Sequence, residues 1–327
     1  MRAFLYGTSA FSFWLTFPWD VGSLSRVDRS ALKDCAPTLQ LAEYLAETLP
    51  QIPQPYELLV PTRTAWPIEG VRAHACTFAL PGKPFLLIAS GVFIACPELC
   101  FVQLARSMSL HELVRAGNAL CSLFFIDPLQ RGSLESRQPL TTTRKLANFI
   151  EKNAGLPGVK AARKTLPFLS ERTASPPESF LSMVLELPYR LGGFQLAGFQ
   201  ANQRLASGHK TQTMTDRGSL VPDLLHRESK LVIEYDSNAE HLTPQQISRD
   251  ATKRLALEAK GFKVITVTTK QLASPQAMHH IAEQAAQRRG RRLNPKSTSF
   301  AHNQQLLFSL GWNLDGYLNS TWMRGAN

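Results

Sequence analysis

Two stretches decide the fold of the C-terminal half: Val221-Pro222-Asp223 and, further on, Leu231-Val232-Ile233-Glu234-Tyr235-Asp236. We predict two neighbouring strands, because the residues between them are few enough for a hairpin turn. A strand alternates its faces, so Glu234 and Asp236 point the same way. Carboxylates that converge on one sheet face repel each other unless a cation compensates them. Mg²⁺ or Mn²⁺ is the usual compensation, since both prefer oxygen ligands.

The segments around this hairpin predict a compact α/β order. A helix is expected over residues 176–187 and strands over residues 199–205, 220–225 and 231–236. Thr243-Pro244-Gln245-Gln246 has the pattern of a capping box and starts a helix that ends near Gly261. A fourth strand over residues 262–268 and a closing helix over residues 276–288 follow.

The motif Pro222-Asp223 followed by Glu234-Tyr235-Asp236 resembles the PD-(D/E)XK nuclease superfamily. The order of elements over residues 172–285 looks like the endonuclease-like domains related to very-short-patch repair endonucleases. This resemblance implies a restriction-endonuclease-like core of helix, three strands, helix and strand. It also implies metal-dependent hydrolysis of DNA. The superfamily motif ends in Lys, whereas this chain has Asp236 there, so the resemblance supports the fold more than the activity.

The hairpin acids have a functional and a structural interpretation. Asp223 and Glu234 are paired ligands for a divalent cation, or scattered acids on an exposed hairpin face. The apolar neighbours favour the first interpretation, because unpaired acids in buried strands are costly. The resemblance implies that the Tyr235 carbonyl is a further ligand. Asp236 is a third metal ligand, orients one, or takes part in ordinary turn chemistry with Ser237.

Two further residues are candidates for catalysis. Glu178 stands three residues after Ser175, which fits a capping box, while the resemblance implies a carboxylate that reaches the site from the first helix. His241 follows the third strand and would accept a proton in place of the missing lysine, or is polar surface.

Basic side chains provide the candidate DNA contacts. Arg249 and Lys253 are one helical turn apart, so they contact a phosphate together or belong to a solvated helix face. After the last predicted helix comes a basic run, which binds phosphates or forms a solvated tail; it consists of Arg288, Arg289, Arg291 and Arg292.

Composition points to the same partner. The chain has 327 residues, a net charge of +11 and a pI near 9.6, which favour nucleic acid over an anionic membrane surface as the partner. No apolar run is long enough to span a bilayer. The five cysteines are irregularly spaced in apolar surroundings, which is typical of reduced thiols in a cytoplasmic protein and not of a zinc site.

The N-terminal part predicts a separate mixed α/β module over residues 1–150. Strands are expected over residues 56–60, 74–78 and 84–94, with a polar linker over residues 131–139. Residues 91–100 run from a strand into a Pro-led helix and loosely resemble AbiEi-type antitoxins, although an ordinary strand-to-helix turn gives the same pattern. The nuclease-like domain is expected over residues 165–295 and a C-terminal extension over residues 296–327.

These observations lead to a main hypothesis and two alternatives. The main one is a cytoplasmic, metal-dependent DNA endonuclease of DNA repair or phage defence. The first alternative is an inactive nuclease fold that binds DNA as a regulator, such as a toxin–antitoxin antitoxin or a repressor. The second is a protein-interaction module whose charge serves only solubility.

Overall fold

The structure is a computed structural model that describes residues 1–18, 20–62, 67–80, 82–130, 133–206, 219–236, 244–295 and 298–312. Within it, residues 1–169 form one compact unit (unit 1) and residues 170–312 form another (unit 2). The predicted mixed α/β class is confirmed. The boundary lies between Leu169 and Ser170, so residues 151–164, which the predicted domains left unassigned, and residues 165–169, which were expected in the nuclease-like domain, belong to unit 1.

Unit 1 is built on a mixed six-stranded sheet. Its strands are β1 (Ala3–Leu5), β2 (Arg26–Val27), β3 (Tyr56–Val60), β4 (Val71–Ala75), β5 (Phe85–Ala89) and β6 (Val92–Ala95), in the spatial order β2-β5-β6-β1-β3-β4. A separate antiparallel pair consists of β7 (Phe124–Asp127) and β8 (Ser133–Ser136). The helices are α1 (Gly7–Thr16), α2 (Leu39–Thr48), α3 (Pro97–Leu104), α4 (Leu110–Leu120), α5 (Thr143–Lys152) and α6 (Val159–Thr165). Large apolar side chains such as Trp14, Phe4 and Phe85 are fully buried in its core.

Three predictions for unit 1 need correction. The strand expected over residues 74–78 lies at Val71–Ala75, where it pairs in parallel with β3. The strand expected over residues 84–94 is two strands, because Gly91 adopts a positive φ of 71° and turns the chain between β5 and β6. The linker expected over residues 131–139 contains β8.

Unit 2 carries the hairpin on a four-stranded sheet. The strands of the whole unit are β9 (Gln200–Ala201), β10 (Leu205–Ala206), β11 (Ser219–Leu220), β12 (Leu224–His226), β13 (Leu231–Asp236) and β14 (Lys263–Thr268). The sheet has the order β14-β13-β12-β9, while β10 and β11 form a separate pair. The helices are α7 (Pro176–Glu186), α8 (Pro244–Ala259), α9 (Thr269–Ala273), α10 (Pro275–Arg288) and α11 (Phe300–Ser309). β13 pairs antiparallel with β12 and parallel with β14.

Two predicted strands of unit 2 are interrupted. The strand expected over residues 199–205 breaks at Asn202, whose φ of 49° turns the chain away from the sheet. The strand expected over residues 220–225 breaks at Pro222 and Asp223, so its first part pairs with β10 and its second part with β13. Pro222 has no N–H to donate to a ladder, which explains the break.

Part of the predicted C-terminal extension belongs to unit 2. Phe300 of α11 packs edge-on against Tyr189, with ring centroids 5.9 Å apart, and also contacts Phe194. Phe308 meets Phe180 edge-on at 5.4 Å. α11 therefore completes the apolar core of unit 2 rather than trailing from it.

Among the helices that the structure describes, none combines the length and the apolar character that crossing a bilayer requires.

Candidate active site

The hairpin holds Asp223 against β13. In the register Leu224 lies opposite Ile233, so the residue that would face Tyr235 is Pro222. β12 begins only at Leu224, and the Tyr235 N–H donates to the Asp223 carboxylate instead of to a ladder carbonyl: Oδ2 accepts this hydrogen bond at 2.7 Å. The carbonyl of a strand residue points to the same side as its N–H. The Tyr235 carbonyl therefore points toward the edge at which Asp223 is held.

Glu234 is paired with a lysine from the following helix. Lys253 of α8 places Nζ 2.7 Å from Glu234 Oε2. The other carboxylate oxygen, Oε1, is buried and has no hydrogen-bond partner among the described residues. The Glu234 side chain is only 17% exposed. One oxygen is thus neutralised by an ammonium group, and the other lacks the donor that a buried oxygen normally has.

The pKa values show that these carboxylates are undercompensated. Burial, together with the charge on Asp223, raises the pKa of Glu234 to about 8, although Lys253 lowers it. Burial also raises the pKa of Asp223, against the lowering effects of Lys253 and of the Tyr235 N–H. Burial lowers the pKa of the Lys253 ammonium group, but the charges of Glu234, Asp223 and Asp250 outweigh this effect and the pKa is raised. The site has spare capacity for positive charge.

Glu178 belongs to the N-terminal cap of α7 but does not complete the predicted capping box, because its Oε2 accepts from the Ala174 N–H at 2.8 Å rather than from the Ser175 N–H. Its catalytic role stays a prediction. Its Oε1 accepts from Ser175 Oγ at 2.9 Å, and its N–H donates to the same hydroxyl at 3.3 Å, which caps α7. Its Oε2 accepts from Asn202 Nδ2 at 2.8 Å. Burial and the charge on Asp223 raise the pKa of Glu178 to about 7. The helix cap is therefore also a carboxylate whose charge interacts with that of Asp223.

Asn202 is a site residue that the sequence analysis missed. Its side chain donates to Glu178, and its backbone N–H donates to the Asp223 carbonyl at 3.1 Å. The left-handed backbone at Asn202 permits both contacts. Asn tolerates this conformation better than most residues, but an Asn in a loop is too common to indicate a site from sequence.

The predicted three-carboxylate ligand set is not assembled. Within the described ranges, no three acidic, His or Cys side chains form a group that could hold a metal ion. Asp236 does not join Asp223 and Glu234: it lies two residues beyond Glu234 at the end of β13, opposite Thr268. Two residues along a strand span about 6.6 Å. The candidate metal ligands that lie together are the carboxylates of Asp223 and Glu234, and the Tyr235 carbonyl is directed toward the same edge of β13.

The remaining predicted residues have different positions. His241 and the side chain of Arg249 lie outside the described residues, so their predicted roles stay predictions. Lys253 was expected to contact DNA, and in the structure it is paired with Glu234.

The basic run after α10 makes internal contacts. Arg289 donates to the carbonyls of Leu196 at 2.6 Å and Ala197 at 2.8 Å. Arg288 donates to the Ser229 carbonyl at 3.0 Å, and Arg291 donates to the Gln195 carbonyl at 3.5 Å. Three guanidinium groups of the run thus anchor the end of α10 to neighbouring loops, and Arg292 is exposed. Phosphate binding by this run stays a prediction.

Comparison with known proteins gives no match: no family model, no curated protein and no solved structure matches the chain.

Proposed function

We propose that the chain is a metal-dependent DNA endonuclease whose active site lies at Asp223, Glu234 and Lys253 of unit 2. The observation that supports this proposal best is the pairing of Lys253 Nζ with Glu234 Oε2 at 2.7 Å, beside the carboxylate that the Tyr235 N–H holds in place. Lysine is absent from the expected place on β13, where Asp236 stands. The fold brings a lysine to the carboxylates from α8 instead.

The oxygen ligands of this site fit a magnesium ion that keeps several of its coordinated waters. Mg²⁺ is usually bound in proteins by one or two carboxylates, with water and substrate phosphate completing the shell. Asp223, Glu234 and the Tyr235 carbonyl would hold it, and Lys253 contacts only Oε2 of Glu234, which leaves Oε1 clear of the ammonium group. When bound, Mg²⁺ or Mn²⁺ supplies a Lewis acid that acidifies water and neutralises charge on the phosphate.

The side chains of the site divide the remaining tasks. Lys253 keeps its proton, since its pKa is raised, and its ammonium group stabilises negative charge on the scissile phosphate. Glu178, with a pKa of about 7, can accept or release a proton near neutral pH, as a general acid–base group must. Asn202 holds Glu178 in place through the 2.8 Å hydrogen bond.

DNA as the substrate is supported by charge and by the motif. The net charge of +11 favours a polyanion, and the motif resembles that of DNA nucleases. The five cysteines are all buried and free, which favours a reducing compartment such as the cytoplasm. DNA repair and phage defence are the settings that we propose.

One observation favours a second function. The Lys253 ammonium group already compensates Glu234, so the site can persist without a metal. The chain would then be a DNA-binding regulator with an inactive nuclease fold. This alternative predicts duplex binding that weakens with salt and no cleavage with any divalent cation.

Metal binding and cleavage separate the two functions. We expect calorimetric titration to show Mg²⁺ or Mn²⁺ binding to the wild type, and supercoiled DNA to be nicked in the presence of either ion. Asp223→Asn should abolish both. Lys253→Met should retain metal binding but slow nicking by about 10²- to 10³-fold, and Lys253→Arg should recover part of that rate.

The control is Glu228→Gln, which removes an exposed acid from the hairpin turn of the same unit. It should nick as fast as the wild type. Equal nicking by the wild type and Asp223→Asn would refute the assignment of the active site. Binding of duplex DNA by a chain that neither binds metal nor nicks would establish the regulator.

A further inference from the structure

The strongest unexplained concentration of charge lies on α5 and α6 of unit 1, far along the chain from the active-site residues. Residues 143–165 contain six basic residues and one acidic residue, Glu151, so this segment carries +5 of the net +11. All six basic side chains are exposed, and none is in an ion pair with a residue that the structure describes. We call this set the α5–α6 basic face: Arg144, Lys145, Lys152, Lys160, Arg163 and Lys164.

Helix stability does not explain this distribution. Arg144 and Lys145 lie in the first turn of α5, and Lys160 lies in the first turn of α6. Cations at a helix N-terminus oppose the helix dipole and cost a few tenths of a kcal/mol each. Neither first turn contains an acidic residue that would offset the cost. Three of the six basic residues therefore occupy positions at which a cation lowers helix stability.

The two helices that carry the face, α5 and α6, are packed on each other and on α3. The start of α6 is pressed onto α3, because a Cβ at Gly158 would come within 2.2 Å of the Val102 carbonyl oxygen. Gly158 has a φ of 96°, which permits this approach without strain. The basic side chains thus project from two helices whose relative position is set by packing.

The chemistry of the face fits a phosphate backbone better than a lipid surface. Helices that bind at a membrane interface expose a large apolar stripe beside their cations. Here the apolar side chains of both helices point into unit 1: Leu146, Ile150, Val159 and Ala162 are at most 1% exposed. Phe149 of α5, which is partly exposed, packs against the same core. Exposed Lys and Arg side chains bind polyanions by releasing counterions.

We infer that the α5–α6 basic face is a docking surface for the phosphate backbone of duplex DNA, distinct from the active site of unit 2. That the polyanion is DNA rests on the proposed function; the face itself rests on its charge and exposure. Lys and Arg that contact phosphates add affinity without reading sequence. The face therefore supplies affinity that is sensitive to salt and independent of sequence.

Removing charge at two places on unit 1 tests the inference. In the patch variant, Lys145, Lys160 and Lys164 are replaced by Gln in the full-length chain. In the matched control variant, Arg26, Lys33 and Lys83, which are also exposed and belong to the same unit, are replaced by Gln. Binding to a duplex oligonucleotide is measured over a range of salt concentrations in EDTA, so that cleavage does not interfere.

The patch variant should bind at least about tenfold more weakly at moderate salt, and the slope of log affinity against log salt should fall by up to about 2.7, since each lost contact removes about 0.9. The control variant should keep the wild-type slope. A third variant with Arg at the same three patch positions should restore binding, which a folding defect would not permit. Circular dichroism and thermal unfolding confirm that all variants fold.

Several outcomes overturn the inference. Equal slopes for the patch and control variants would show that only net charge matters. Failure of the wild type to bind duplex DNA at low salt would show that the face is not a DNA-binding surface. Binding to phosphatidylserine vesicles but not to DNA would show that the face binds membranes. Nicking assays on the same variants keep this test separate from the proposed function. Loss of DNA affinity in the patch variant stands even where the wild type nicks nothing.

Discussion

Glu178→Gln should change stability in opposite directions at acidic and alkaline pH. Burial and the charge on Asp223 raise the pKa of Glu178 from 4.5 to about 7 in the folded chain. A carboxyl group with a raised pKa stabilises the fold fully below its unfolded pKa, and this contribution is lost as the pH rises through the folded pKa. Above about pH 8 the ionised Glu178 therefore costs stability, whereas at pH 4, below the unfolded pKa, it is protonated in both states and costs little.

The expected magnitude follows from the two pKa values. Each pH unit between them is worth about 1.4 kcal/mol, so the ionised side chain costs ~3 kcal/mol at pH 8.5. Gln stays neutral and escapes this cost, but its NH2 group replaces one of the two oxygens that accept from Ala174, Ser175 and Asn202, and a lost buried hydrogen bond costs about 1 kcal/mol. We expect Glu178→Gln to lower the free energy of unfolding by ~1 kcal/mol at pH 4 and to raise it by ~2 kcal/mol at pH 8.5.

The assay is guanidinium unfolding of the wild type and the variant at pH values from 4 to 9. Glu228→Gln serves as the control, because it removes a carboxylate of unit 2 that is exposed. Its stability curve should run parallel to that of the wild type. If the Glu178→Gln curve is also parallel, Glu178 is ionised without penalty, and the argument for an undercompensated group of carboxylates fails.

Two further substitutions test contacts outside the active site. Arg289→Ala should lower the free energy of unfolding by about 2 kcal/mol, because the carbonyls of Leu196 at 2.6 Å and Ala197 at 2.8 Å lose a charged donor. The slope of log DNA affinity against log salt should match that of the wild type. A reduced slope would show that Arg289 contacts DNA instead. Gly7→Ala should lower the melting temperature through a loss of about 1–3 kcal/mol, since its φ is 51° and a Cβ would come within 2.4 Å of Glu57 Oε2; an unchanged melting temperature would refute the close approach.

The sequence allowed β13 to be predicted to the residue. Leu231, Val232 and Ile233 form an apolar run, and the acids after it alternate, so period and composition agree. The strand before it was predicted as one piece because Val221 and Leu224 are apolar on both sides of Pro222. Only the pairing of each half with a different partner reveals the break, and pairing is a long-range property that local sequence does not contain.

The same distinction applies to the site. Asp223 and Glu234 could be predicted because hairpin geometry brings them together over a short stretch of chain. Lys253 was recognised as a cation but not as the partner of Glu234, because that contact depends on how α8 packs against the sheet. Asn202 depends in addition on a left-handed backbone. Where a contact requires tertiary packing, residue type alone indicates too many candidates.

α11 determines where unit 2 can be cut. The motif-based domain ends at residue 295, before this helix, yet Phe300 and Phe308 cover the rings of Tyr189, Phe194 and Phe180. A fragment that ends at residue 295 would expose these aromatic rings to water, and exposed apolar patches of this kind promote aggregation. Expression of the isolated unit 2 should therefore extend through Trp312, which stacks on Phe180 with ring centroids 5.1 Å apart.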